Sequence, residues 1–244
     1  MSAVVYSLRT ILLYLALTVW TVGWSSFMLI GLPLAPFRKR HALVKIWAHV
    51  TIGLTRWIAG VKWEVKGREN IPENPCVIVS NHQSSWETFF LQTLFTPQTQ
   101  VVKKSLLNIP FFGWAFRLTK PIAIDRDDPR RSLQQIVEQG KRALEDNVWV
   151  LIFPEGTRIP NGQLGKFSRG GINLARKTDK NILPIAHNAG SCWPNTSWIK
   201  RPGTITVHIG NEIKPEGKTP AQLNEESRLW IEGALKEMNN SDVA

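Results

Sequence analysis

A histidine and a carboxylate stand five positions apart in Asn81-His82-Gln83-Ser84-Ser85-Trp86-Glu87, and an arginine closes the later segment Phe153-Pro154-Glu155-Gly156-Thr157-Arg158. An imidazole can take a proton from an alcohol when a carboxylate orients its other nitrogen. A guanidinium on a glycine-containing turn suits phosphate, because its planar fork matches two oxygens at once. A base beside an anion clamp predicts chemistry on a hydroxyl of a phosphorylated substrate. Among the five histidines only His82 has an acid five positions on. That pair is a weak signal alone; the uninterrupted FPEGTR block is the stronger one.

Five residues along one α-helix separate two side chains by about 140°, since each residue turns about 100°. His82 and Glu87 therefore meet only if His82 precedes a helix and Glu87 lies in its first turn. The surrounding sequence predicts that arrangement. Cys76-Val77-Ile78-Val79 is a short apolar run of the kind found in strands buried on both faces. Ser84 is a candidate N-cap, and a helical pattern runs from Ser85 to Leu94. His82 then occupies a strand-to-helix turn at the carboxyl end of a sheet, where open α/β folds bind ligands. Glu87 accepts from one ring nitrogen, and the other faces the substrate alcohol. Ser84-Ser85-Trp86-Glu87 also fits a capping box, in which Glu87 reaches back to the N-cap amide. Trp149-Val150-Leu151-Ile152-Phe153 is a second buried run and delivers Pro154 to Arg158 in the same way. Gly156 permits a tight turn there.

Further blocks lie between and after these two: Lys103-Lys104-Ser105-Leu106, Ile109-Pro110-Phe111-Phe112-Gly113, Ile122-Ala123-Ile124-Asp125-Arg126, and Leu183-Pro184-Ile185. Over roughly residues 75–190 the set resembles the glycerophosphate acyltransferase family, in particular its 1-acylglycerol-3-phosphate acyltransferases. The resemblance implies acyl transfer from acyl-CoA or acyl carrier protein to the free hydroxyl of lysophosphatidic acid, giving phosphatidic acid in phospholipid biosynthesis. It implies His82 and Glu87 as the catalytic pair. It implies Lys103, Arg126, Glu155, Gly156, Thr157 and Arg158 as the phosphate-holding set, with Lys104 the alternative to Lys103. Asp125, Asp127 and Asp128 are competing partners for Arg126. The chain departs from the family's commonest pattern at Glu87, where Asp is usual, and at Ile159, where Ser is common. Related acyltransferases acting on lyso-ornithine lipid, lysophospholipid or glycerol 3-phosphate are the neighbouring alternatives.

Other chemistries find little footing. Asn161-Gly162-Gln163-Leu164-Gly165-Lys166-Phe167 has the wrong glycine spacing for a phosphate-binding P-loop, although Ser168-Arg169-Gly170-Gly171 opening a helix is a candidate anion contact. No G-x-S-x-G elbow supports a serine acyl-enzyme. No H-E-x-x-H or Cys/His cluster suggests a metal. Direct attack of the activated alcohol on a thioester is the remaining reading, with no cofactor beyond the acyl donor.

The chain has 244 residues, with 30 Lys and Arg against 19 Asp and Glu, for a net charge of +11. That balance suits an anionic membrane surface and an anionic substrate. It also admits a different class, a membrane-tethered anion- or nucleic-acid-binding protein without catalysis; the motifs favour an enzyme with no nucleic-acid partner. Cys76 and Cys192, in apolar surroundings and without C-x-x-C spacing, read as buried free thiols. Ile11 to Phe37 carries no charge, and about 20 apolar residues suffice to cross a bilayer. Arg38, Lys39 and Arg40 follow it against a single Arg9 before it, which places the remainder on the cytoplasmic face. His41 to Gly60 is helical in pattern, but Lys45, His49 and Arg56 make a second crossing costly, so it reads as an amphipathic surface helix. Trp20, Trp24, Trp47, Trp57 and Trp63 are candidate interfacial anchors. Family members often carry an N-terminal helix pair dipping into one leaflet; one span followed by a surface helix fits equally. The chain thus divides into membrane-anchoring helices (1–60) and an α/β domain (61–244), a mixed sheet flanked by helices.

Within that domain Val61 to Val65 alternates like a half-exposed strand, Val101-Val102, Ile122 to Ile124 and Ile182 to Ile185 are weaker strand candidates, and Thr204 to Ile209 is a late strand. Helical patterns run from Pro129 to Glu145 and Ser168 to Lys177. A C-terminal helix opens at Thr219, with Pro220 at its first position and Gln222 completing a capping box.

Overall fold

The computed structural model describes residues 3–31, 35–125 and 128–241. The described residues form strands β1 (Val61–Lys66), β2 (Val77–Ser80), β3 (Gln98–Lys103), β4 (Ile122–Ile124), β5 (Trp149–Ile152), β6 (Ile182–His187) and β7 (Gly203–Ile209). They make one sheet in the order β1-β7-β6-β2-β5-β3-β4. All pairings are parallel except β6 with β7, so the sheet is mixed, as expected. β2 and β5 are buried at every position, the outcome that their continuous apolar runs require. They are also neighbours in register, Val77 opposite Val150. Two segments far apart in sequence therefore leave the sheet side by side, at the same edge.

Helices cover both faces. α3 (Trp86–Leu94) presents Trp86, Phe90 and Leu91 to Ile78, Leu151 and Leu183 on one face. Trp86 is fully buried and stacks on Phe90 at 4.5 Å, a pairing worth about 1 kcal/mol beyond the area it buries. α5 (Pro129–Glu145), α6 (Gly170–Thr178) and α7 (Pro220–Ser241) pack Ile136, Ile172, Leu174, Ile231 and Leu235 on the opposite face, against Val77, Val79, Val150 and Ile152. Asp128 caps α5 by accepting from the Arg131 amide at 3.0 Å. α7 opens with the capping box read from the sequence: Thr219 Oγ1 accepts from Gln222 N, and Gln222 Oε1 accepts from Thr219 N.

The N-terminal region forms α1 (Ala3–Gly31) and α2 (Phe37–Leu54), the latter ending in a π turn over Thr55–Ala59. The two run antiparallel. The Arg9 guanidinium donates to the Ile58 carbonyl at 2.6 Å, and the Trp20 indole to the Trp47 carbonyl at 3.3 Å. α1 is long and apolar enough to cross a membrane, yet one stripe of it is packed on protein. Thr10, Leu13, Ser25 and Met28 are buried, whereas Leu8, Leu12, Leu15, Val19 and Ile30 are strongly exposed. Of the five early tryptophans, Trp57 is exposed as an interfacial residue should be. Trp63 instead packs on Trp86 and Phe90 of α3. A short helix that the sequence did not announce, α4 (Phe112–Arg117), lies after a 3₁₀ turn over Lys104–Asn108.

Candidate active site

Between the end of β2 and the start of α3, residues 81–85 make the turn that carries His82. Glu87, in the first turn of α3, is fully buried, and its two carboxylate oxygens are saturated by donors. Oε1 accepts from the Gln83 amide at 2.9 Å, the Ser84 amide at 2.8 Å and His82 Nδ1 at 2.8 Å. Oε2 accepts from the Ser84 hydroxyl. Ser84 Oγ in turn accepts from the Trp86 amide at 2.9 Å, although the N-cap of α3 is Ser85, one residue later than the sequence pattern indicates. One carboxylate thus orients the histidine and also accepts from the Ser84 amide, which is half of the expected capping box; the other half is absent because the helix starts after Ser85. Burial alone would raise its pKa. The His187 ring 3.9 Å away, the His82 ring and the Ser84 hydroxyl outweigh burial and hold it at about 2. The group is ionised at any physiological pH, and an ionised carboxylate only accepts. His82 Nδ1 must therefore carry a proton, so that in the neutral ring the accepting lone pair is on Nε2.

The adjacent β5 delivers the second block against this turn. The Glu155 carboxylate accepts from the His82 amide at 2.6 Å and from the Gly165 amide at 2.7 Å. The Ile159 amide donates to the His82 carbonyl at 2.7 Å. Phe153 stacks on the His82 ring at 4.2 Å with an interplanar angle of 18°. Backbone and ring of His82 are thus both held, with little rotational freedom left. Gly156 takes a left-handed φ of 68°, a conformation that costs other residues energy and turns the chain so that Arg158 returns toward the site. Arg158 Nη2 donates to Ser85 Oγ at 2.8 Å.

A cavity of about 650 Å³ joins these groups: His82, Ser85, Lys103, Gly156, Thr157 and Arg158 all line it. Its remaining wall is largely apolar, with Met28 and Trp24 from α1, Trp47 from α2, Phe89 from α3, and Phe112 and Phe116 from α4. The helices that bring the apolar outer face to the domain also supply part of this wall.

Of the residues singled out from sequence, His82 and Glu87 meet as expected. Lys103, at the end of β3, and Gly156, Thr157 and Arg158 line the cavity with them. Lys104 starts the following 3₁₀ turn and is not part of the lining. Glu155, counted above with the phosphate-holding set, is placed differently. Both its oxygens are taken by backbone amides, so it braces the two loops, and its negative charge is unsuited to a phosphate. Burial raises its pKa while the Gly165 and His82 amides lower it, with a net rise. Arg126 lies outside the described residues. Sequence reasoning missed Asn81 and His187. The Asn81 side-chain amide donates to the His187 carbonyl at 2.9 Å and accepts from the His187 backbone amide at 3.0 Å, locking β6 to the turn that carries His82. His187 is fully buried, and burial lowers its pKa against the pull of Glu87. Asn81 opens a quoted block and carried a positional signal; His187 carried none.

The acyltransferase family model matches residues 62–188. A 1-acyl-sn-glycerol-3-phosphate acyltransferase of Pseudomonas aeruginosa is 50% identical over 239 residues, covering 96% of this chain and 93% of that protein. A protein of the same name from Cocos nucifera is 30% identical over 213 residues, 86% of this chain and 68% of its own length. In overall fold, the solved 1-acyl-sn-glycerophosphate (LPA) acyltransferase PlsC from Thermotoga maritima superposes with a TM-score of 0.83, over 98% of each chain at 23% identity. The chain belongs to the acyltransferase family, together with these 1-acyl-sn-glycerol-3-phosphate acyltransferases.

Proposed function

We propose that the protein transfers a fatty acyl group from an acyl thioester, acyl-CoA or acyl carrier protein, to the free hydroxyl of lysophosphatidic acid, giving phosphatidic acid. The observation that carries this reading is the His82–Glu87 pair at 2.8 Å, set in the wall of one cavity with Arg158. His82 Nε2 takes the hydroxyl proton as the alcohol oxygen attacks the thioester carbonyl. The C–S bond breaks on collapse of the tetrahedral adduct, and the proton leaves with the thiolate. Glu87 stabilises the imidazolium formed in between. Arg158 holds the phosphate, Lys103 stands as a further cation on the same wall, and the apolar wall accommodates an acyl chain. The names of the relatives agree with this acceptor.

The exposed apolar stripe of α1, the exposed Trp57 and the basic run after α1 support attachment to the cytoplasmic face of a membrane. The packing of α1 along α2 and the domain favours a helix pair seated in one leaflet over a free-standing span. The test is thiol release on mixing acyl-CoA or acyl carrier protein donors with a panel of lysolipids, in vesicles. Release with lysophosphatidic acid and formation of phosphatidic acid are expected. Release only with a neutral or zwitterionic lysolipid refutes the acceptor; none with any lysolipid refutes the reaction.

A further inference from the structure

Arg158 and Ser85 line a second cavity as well, of about 330 Å³, and its character is opposite to that of the first. Its wall carries the polar side chains of Ser84, Asn195, Thr196 and Ser197, and a second cation, Lys200. Lys200 is only 4% exposed. Its ammonium donates to the carbonyls of Pro194 at 3.2 Å and Ser197 at 2.9 Å, and stands 5.3 Å from the centre of the Trp193 ring. Two of its three N–H donors are thereby engaged. Among the described residues no carboxylate lies within ion-pair distance of Lys200 or Arg158.

Two cations around one polar cavity, one of them nearly buried, are an uncompensated charge. Burial, with Arg158 adding to it, draws the Lys200 ammonium down to about 8. A bound dianion relieves both effects. The cavity also sits where a substrate phosphate has to be. Ser84 and Ser85 belong to the turn that carries His82, and Arg158 stands in the wall common to both cavities. The segment bearing Lys200 is fixed from two sides: Asn195 Nδ2 donates to the Arg158 carbonyl at 3.1 Å, and the Lys200 amide to Thr10 Oγ1 of α1 at 3.0 Å.

We propose that Lys200 is a second phosphate-positioning residue, which with Arg158 holds the phosphate monoester of the acceptor in the polar cavity while the acceptor hydroxyl reaches His82 in the apolar one. The inference rests on the acceptor being a phosphorylated lysolipid. It divides the work of the two cavities, acyl chain in one and headgroup in the other, with Arg158 at the partition.

The experiment uses the full-length protein in detergent micelles and the isosteric, uncharged Lys200→Met. Binding of sn-glycerol 3-phosphate, measured by calorimetry, is expected to weaken by roughly tenfold or more, the worth of one charge-assisted hydrogen bond. The KM for lysophosphatidic acid should rise by a similar factor, more than any change in kcat or in the KM for acyl-CoA. Lys200→Arg should recover most of both losses. Thr196→Asp, at an exposed position on the cavity wall, puts a carboxylate beside the two cations and should also raise the acceptor KM. This keeps the test open if Lys200→Met fails to fold. Equal glycerol 3-phosphate binding in wild type and Lys200→Met overturns the proposal whatever the turnover. So does an effect confined to the acyl-CoA KM, which would mark a donor-phosphate site, or an unchanged acceptor KM in Thr196→Asp. A wild-type protein that binds glycerol 3-phosphate through Lys200 but does not acylate lysophosphatidic acid would sink the proposed reaction and leave the anion site standing.

Discussion

Replacing Glu87 by Gln removes one charge from the site and little else. Two of the three donors on Glu87 Oε1 are the backbone amides of Gln83 and Ser84, and these cannot be re-oriented. The glutamine carbonyl is therefore pinned where Oε1 stood, and its NH₂ falls to the Ser84 hydroxyl. His82 keeps Nδ1 protonated, so the tautomer is preserved and only the electrostatic support of the imidazolium is lost. A unit charge about 4 Å away at an effective dielectric near 20 is worth about 4 kcal/mol, or on the order of 10³ in kcat. Stability responds as well, with a definite sign. The Glu87 carboxyl is depressed from its ordinary value of 4.5 to about 2. Its contribution, about 3 kcal/mol at 1.36 kcal/mol per pH unit, is full above the unfolded value and is lost as pH falls from about 4.5 toward 2. The gap in unfolding free energy between wild type and Glu87→Gln should accordingly be widest near neutral pH and close in acid. Glu87→Asp, which keeps the charge on an arm shorter by about 1.5 Å, should retain more turnover than the Gln variant. The assays are thiol release and denaturant unfolding of all three proteins at several pH values. Turnover of Glu87→Gln within tenfold of wild type would refute the electrostatic role, and a stability gap independent of pH would refute the ionised carboxylate.

Three further outcomes follow from the geometry. His82→Ala should lower turnover by roughly 10²–10⁴ at an unchanged melting temperature, because the backbone anchors of the turn and the other three donors to Glu87 survive; activity above a few per cent rules out the base. Arg158→Lys keeps the charge but loses the planar fork, so the acceptor KM should rise while the donor KM does not; the reverse pattern removes Arg158 from the phosphate site. Deleting residues 1–60 should release the protein from membranes and also abolish turnover on detergent-dispersed substrates, since Trp24, Met28 and Trp47 leave the cavity wall with them. Persistent tight membrane binding would place the anchor elsewhere.

Where one residue's chemistry or one short run set the structure, the sequence was readable. α5 spans Pro129–Glu145 as its pattern indicates, and β2 and β5 follow their apolar runs. The meeting of His82 with Glu87 follows from helix geometry alone. β3 is the instructive failure: Gln98, Thr99 and Gln100 are buried, and the Gln98 and Gln100 amides donate to the Leu91 and Thr88 carbonyls of α3. Polar residues buried by partners elsewhere give no apolar signal, so only Val101 and Val102 showed. The Asn81–His187 clasp spans 106 residues, and no local pattern encodes a contact of that range. Glu155 misled for the opposite reason. It sits inside a block whose neighbours line the cavity, while its own oxygens are spent on backbone.

The stripe of α1 that faces protein has a consequence for how interchangeable the membrane anchor is. Leu13 reaches the core beside Ile52, Tyr14 walls the polar cavity, and Trp24, Ser25 and Met28 wall the apolar one. An ordinary tether needs only length and greasiness, and any apolar helix would serve. This one is specified on one face by the α/β domain, and on the other it is free to be merely apolar. A chimera carrying a foreign apolar helix in place of α1 would have an open-sided site, so the helix and the cavity form a single working part.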